Sequence, residues 1–171
     1  DEYCQLLKSD AHQDELGLVI QALTTNVTRF FREPHHFEIL RNEILGPLTE
    51  KARRGERVRI WSAGCSAGME PYTMAIEVLE WLPDAASLDV KILATDIDNI
   101  MIATGRRGVY SGSNVENIKP EYVRKYFKQL DGGDEWQVSA DMRKIVTFQQ
   151  LNLFDPWPMK GKFEAIFCRN V

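Results

Sequence analysis

Apolar residues recur at helical spacing through Leu16, Val19, Ile20 and Leu23, and the run ends in the polar Thr24-Thr25-Asn26. Phe37, Leu40, Ile44 and Leu45 predict a second short amphipathic helix that stops before Gly46-Pro47. Residues 1 to about 55 therefore read as a helical lead-in and linker. The pattern then changes. Val58, Ile60 and Trp61 form a short apolar run of strand type that leads into Gly64 and Gly68. Helical spacing returns with Met74, Val78 and Leu82, flanked by Ala75 and Leu79, until Pro83 ends it. Asp89–Asp98 holds a second buried strand ending in acids, with a short helix over Asn99–Thr104 behind it.

Pro120–Phe127 predicts another short helix. Asp131-Gly132-Gly133-Asp134 is a turn signal between Tyr126–Leu130 and Glu135–Val138, so residues 126–148 read as a small antiparallel excursion. Ile145–Gln149 returns to the main sheet, and Phe163–Cys168 is its fourth strand. Strands alternating with helices predict an α/β doubly wound sheet occupying residues 56–171 behind the helical lead-in.

The turn in Arg59–Pro71 (Arg-Ile-Trp-Ser-Ala-Gly-Cys-Ser-Ala-Gly-Met-Glu-Pro) lies where such sheets bind nucleotide-like ligands. No Gly-Lys-Ser/Thr follows it, and no third glycine completes a dinucleotide fingerprint, so neither phosphate cradle is predicted. Glu70, at the start of the helix, would repel a pyrophosphate and favour a cation. It could equally be an acid that complements the helix dipole. Asp96 ends the second strand 28 residues beyond Gly68, against the usual ~20 for a ribose-binding acid, and the Pro83–Leu88 loop accounts for the excess. The alternative for Asp96 is a cap on the following helix.

Several groups remain open. Phe30 and Phe31 read as a core plug; Asn26, Thr28 and Arg32 around them could each be a cap, a turn residue or a solvated group. His35 and His36 have no metal-ligand companions and read as a solvated helix start. Lys51–Arg59 is a basic run, either a solvated loop or a docking patch for an acidic partner.

At 171 residues and 44% hydrophobic, the chain can bury a core of domain size. A formal charge of −4 argues against general nucleic-acid binding. Three cysteines without CxxC spacing suggest neither a disulfide framework nor a zinc site. No run approaches membrane-spanning length and no signal-peptide pattern is present, so a cytoplasmic protein is expected. Starting at Asp1 and stopping at Val171 within an apolar run, the sequence reads as a fragment. Dimerisation, a swapped element or further residues are then expected to cover Phe163–Val171.

Five segments, in order, resemble the CheR-type chemoreceptor glutamate O-methyltransferases. They are Thr-Thr-Asn-Val-Thr-Arg-Phe-Phe-Arg (24–32), residues 59–73 ending Gly-Met-Glu-Pro-Tyr-Thr, Ile-Leu-Ala-Thr-Asp-Ile (92–97), Asn-Leu (152–153) and Phe-Cys-Arg-Asn-Val (167–171). The resemblance implies a helical N-terminal domain and a Rossmann-like domain that binds S-adenosylmethionine and carries a small inserted β-subdomain. It also implies a methyl-accepting chemoreceptor's cytoplasmic domain as partner. By the same resemblance, Glu70 suits the cationic cofactor beside Gly64, Asp96 holds the ribose, and Asn152 and Leu153 flank the adenine. Arg169 and Asn170 line the far side, and Asn26, Thr28 and Arg32 close over the methionine end. Arg32 is the one candidate catalytic residue, gripping the cofactor or steering the substrate carboxylate. In two respects the chain departs from the family: Met69 stands where an acid is usual, and the family continues with further strands. Two other classes stay open, a methyltransferase of another substrate and a non-catalytic cofactor-sensing module.

Overall fold

The computed structural model of the chain describes Val19 and residues 27 to 171. Most of the lead-in pattern over Leu16–Leu23 lies outside the described residues. In chain order the helices are α1 (His35–Ile39), α2 (Leu45–Arg53), α3 (Met69–Trp81), α4 (Asn99–Arg107), α5 (Gly112–Val115), α6 (Pro120–Tyr126) and α7 (Ala140–Ile145). The strands are β1 (Val58–Ala63), β2 (Val90–Asp96), β3 (Val109–Ser111), β4 (Phe127–Gln129), β5 (Glu135–Val138), β6 (Val146–Gln150) and β7 (Ala165–Cys168).

The main sheet runs β6-β2-β1-β7 and every pairing in it is parallel. Ranked by position in the chain, that order is third, second, first, fourth, which is the doubly wound arrangement expected from the alternating pattern. Winding reverses beside β1, so a crevice opens at the carboxyl ends of β1, β2 and β7. β1 is buried almost throughout, as a strand covered on both faces must be. α3 is buried from Pro71 through Leu79, and a helix apolar nearly all round belongs in the core. The close approach of α4 to the sheet depends on Gly105. A Cβ there would sit 2.3 Å from the Phe148 ring, so glycine lets β6 and α4 close up. β7 occupies one edge of the sheet, with Ile166 half exposed.

Three boundaries differ from the pattern. The helix expected to stop before Gly46-Pro47 continues to Arg53. A π-turn over Leu40–Ile44 joins α1 to α2, and the proline falls in the first turn of α2, where its missing N–H costs nothing. The helix over Asn99–Thr104 extends to Arg107 and ends on Gly108 at φ 60°. The antiparallel excursion expected at 126–148 contributes only β4 and β5 to its sheet. β3, from well upstream, completes the order β3-β5-β4, while residues 140–145 form a helix and β6 belongs to the main sheet. Short strands such as Val109–Ser111 carry too few residues for a period-2 signal to show.

Candidate functional site

The crevice is a cleft of about 520 Å³ at the carboxyl ends of β1, β2 and β7. The turn after β1 is tied to β2 at its base, because Gly64 N and Cys65 N both donate to Thr95 O at 2.8 Å. Ser66 then adopts φ 47° and Gly68 φ 90°, which reverses the chain into α3. Glycine fits the second position, where the close approach of Gly105 leaves no room for a side chain.

Asp96 braces this turn. Its Oδ2 accepts from Ser66 N at 2.7 Å and its Oδ1 from Asp98 N at 3.0 Å. The helix cap considered for Asp96 belongs instead to Asp98, whose Oδ1 accepts from Ile100 N and Met101 N. Asp96 is thus left facing the cleft, with each oxygen holding one amide and keeping lone-pair capacity.

Glu70 lies at the other end. Its Oε1 accepts from Ser62 Oγ at 2.7 Å and its Oε2 from Arg169 Nη1 at 2.9 Å. Burial pushes the Glu70 carboxyl up from its ordinary value, against the pull of Ser62 and Arg169. Arg169 Nη2 reaches Arg32 O at 2.6 Å and Glu33 Oε2 at 2.9 Å, and the guanidinium stands over the Phe37 ring. The hydrogen bond from Arg169 holds Glu33 below the usual carboxylate range. Two carboxylates therefore share one guanidinium, leaving the cluster with an excess of negative charge.

The segment over this cluster is held by its aromatics. Phe30 is buried between Tyr110 and Phe127, edge-on to both rings. Phe31, half-buried, stacks on Tyr122, and its N–H donates to Thr73 Oγ1. Both residues anchor the segment, although only Phe30 is enclosed. Phe31 and Glu33 adopt φ 54° and 56°, so the chain kinks on either side of Arg32. Arg32 borders the cleft with Nη1 donating to Val27 O at 2.8 Å.

Of the ten candidate residues, nine line this one cleft: Thr28, Arg32, Gly64, Glu70, Asp96, Asn152, Leu153, Arg169 and Asn170. Asn26 lies outside the described residues. Asn152 Oδ1 accepts from Phe154 N, fixing the turn after β6. The pattern did not single out Ser62, Ser66 or Glu33. The two serines lie within the turn of residues 59–71, whereas the place of Glu33 follows from the kink at 31–33, which leaves no mark on residue type.

Of the remaining groups, His36 borders the Arg169 cluster through Glu33 and the others fall away from the site. His35 is exposed, as a solvated helix start should be, but His36 is half-buried with Nδ1 3.4 Å from Glu33 Oε2. In the basic run Lys51 pairs with Glu164, Arg54 with Glu56 and Arg59 with Asp89. The run is partly neutralised and lies at the amino end of β1, opposite the cleft.

Residues 26–171 match the family described as CheR methyltransferase, SAM binding domain. The chain is 46% identical over 172 residues to a probable chemotaxis protein methyltransferase of Rhizobium etli, covering 99% of this chain and 64% of that protein. It is 43% identical to the chemotaxis protein methyltransferase of Borreliella burgdorferi, over 99% of this chain and 61% of the relative. Against that of Escherichia coli the identity is 37%, over 99% and 57% respectively. The chain thus spans about three fifths of the length of these relatives.

Proposed function

Because the chain belongs to the CheR methyltransferase family by its SAM-binding domain, we propose that it forms glutamate methyl esters on the cytoplasmic domains of chemoreceptors. S-adenosylmethionine is the cofactor of that domain, and when bound it supplies an electrophilic methyl group on a sulfonium. The residues present fit it. Asp96 offers two acceptor oxygens, suited to the paired hydroxyls of a ribose. Glu70 offers a buried carboxylate for an ammonium, and Arg169 beside it presents donors of the kind that a carboxylate takes. Ile97, Leu151 and Leu153 give the same cleft an apolar wall suited to a base. Asn152 and Leu153 would flank that base, Gly64 would let the ligand approach the backbone, and Asn170 and Thr28 would close the cleft.

A substrate glutamate is already ionised at neutral pH, so the chain needs no general base to prepare it. What its residues must do is orient and desolvate. Arg32, which lines the cleft, would take the incoming carboxylate, and the kinked segment around it would shield the site from water. A cytoplasmic site of action follows from this reading; among the described residues no helix is long and apolar enough to cross a membrane.

The observation that carries the proposal is the pairing, in one cleft, of Asp96 at the end of β2 with the Glu70–Arg169 cluster at the head of α3. Incubation with labelled S-adenosylmethionine and receptor cytoplasmic fragments tests it. Base-labile label on receptor glutamates is the expected result. Binding of S-adenosylhomocysteine with no transfer would favour a sensing module, and transfer only to other acceptors would overturn the receptor assignment.

A further inference from the structure

We infer that Tyr110 is a positioning residue for the cofactor cleft, holding two of its walls together from the antiparallel sheet. The inference rests on the cleft being the cofactor site. Tyr110 lies in β3, remote in sequence from both walls, and is almost fully buried. Its hydroxyl donates to Ala67 O at 2.8 Å, within the turn that carries Cys65 and Ser66 into the cleft. Its ring meets Phe30 edge-on at 5.1 Å, and Phe30 anchors the segment that brings Thr28 and Arg32 to the opposite wall. One side chain thus touches the turn with its polar end and the covering segment with its apolar face.

The turn has reason to need such a hold. Ser66 and Gly68 both adopt left-handed backbone, and Ser66 N is the donor that fixes Asp96 Oδ2. Movement of Ala67 would shift Ser66 and, through it, the carboxylate offered to the ribose. The bond from Tyr110 meets a carbonyl in the middle of that reversal, where Gly68 N→Cys65 O is the adjacent backbone bond. A tyrosine that merely filled the core would stabilise the fold without affecting the ligand.

Calorimetric titration of S-adenosylhomocysteine, well below the melting temperature, separates the two. Tyr110→Phe keeps the ring and loses the hydroxyl. It is expected to bind about three- to tenfold more weakly, because the loosened turn must then be ordered on binding, at a cost bounded by the worth of one neutral hydrogen bond. Amide exchange at Gly64, Cys65 and Gly68 should accelerate in the same variant. Val138→Ala, which removes core volume from the antiparallel sheet and leaves the Tyr110 hydroxyl in place, should lower the melting temperature yet bind as the wild type does. Wild-type affinity in Tyr110→Phe overturns the inference, as does an equal loss of affinity in Val138→Ala. If the wild type itself fails to bind, the cofactor reading fails, and amide exchange alone decides whether Tyr110 holds the turn.

Discussion

Arg169 Nη1 donates to Glu70 Oε2 at 2.9 Å, joining the end of β7 to the head of α3 across 99 residues of sequence. The guanidinium is 9% exposed and the carboxylate 13%, so the pair is screened from water on most sides. Its second nitrogen also takes a carbonyl and the Glu33 carboxylate from the covering segment. One side chain therefore fastens three pieces of chain around the cleft.

Removing that side chain strands one buried acid, Glu70, while the half-exposed Glu33 keeps water and His36. Arg169→Ala is expected to destabilise the fold by about 2–4 kcal/mol, because Glu70 stays buried with only Ser62 as a partner. Arg169→Lys should recover part of this and not all, since an ammonium cannot serve several acceptors in the plane of a guanidinium. Urea denaturation of the three proteins checks the order. Equal midpoints for wild type and Arg169→Ala would show that the network contributes nothing net.

Glu70 gives opposite pH trends for stability and binding. Burial raises its carboxyl, so the folded chain takes up this proton more readily than the unfolded one. Between an ordinary carboxylate's value and its own raised one, its contribution to stability falls as pH rises. If its carboxylate receives the ligand's ammonium, affinity must instead fall as pH drops through the raised value. Titrations of S-adenosylhomocysteine from neutral pH downward should show that loss, and Glu70→Gln should flatten it. A wild-type curve parallel to the Glu70→Gln curve would remove Glu70 from the ligand.

Much of this was visible in the sequence because the parallel strands are buried on both faces and read as apolar runs. The strand–glycine–helix turn of 59–71 and the acid after Ile92–Thr95 stand at the ends of those runs, where the topology places a cleft. What stayed hidden depends on non-local geometry. Nothing in the types of Arg169 and Glu33 announces that they meet, because the contact requires positive φ at Phe31 and Glu33. Gly46-Pro47 misled for a local reason: the π-turn upstream absorbs a proline that would otherwise have ended the helix. β3 was missed because three residues show no period.

Asp96 serves the fold as well as the cleft, which separates two substitutions. Asp96→Ala removes the acceptor that braces the Ser66 and Asp98 amides, so it should cost stability as well as affinity. Asp96→Asn keeps one oxygen and the shape of the side chain. Its amide nitrogen then faces one of the two backbone donors, so it should melt between Asp96→Ala and the wild type while losing about tenfold in S-adenosylhomocysteine affinity, the worth of a charge-assisted bond. Calorimetry beside a melting curve resolves this, and full affinity in Asp96→Asn would confine the residue to bracing the turn.

Arg32 borders the cleft, and among the described residues its side chain holds a single carbonyl, Val27 O. Arg32→Lys keeps the charge but loses the planar fork that grips a carboxylate through two parallel bonds. It is expected to lose most methyl transfer, and Arg32→Ala nearly all of it, with little change in melting temperature. Equal turnover for wild type and Arg32→Lys would mean that charge alone matters.

The last prediction concerns the pair that pins the π-turn to α3. Arg41 Nη1 reaches Glu77 Oε1 at 2.5 Å, with Glu77 1% exposed and its Oε2 without a hydrogen-bond partner among the described residues. Burial pushes the Glu77 carboxyl up, Arg41 and Lys119 pull it down, and Glu80 opposes them. Arg41→Ala therefore leaves a buried carboxylate without its nearest cation, and a loss of about 2–4 kcal/mol is expected. The loss should shrink as pH falls, because a raised carboxyl in the folded chain is stabilised by protonation. Replacing both partners, Arg41→Leu with Glu77→Met, removes the buried charge and should restore stability to near the wild type or above it. Urea denaturation at two pH values distinguishes the cases. A double variant no more stable than Arg41→Ala would show that packing of the arginine stem, rather than the charge pair, joins the π-turn to α3.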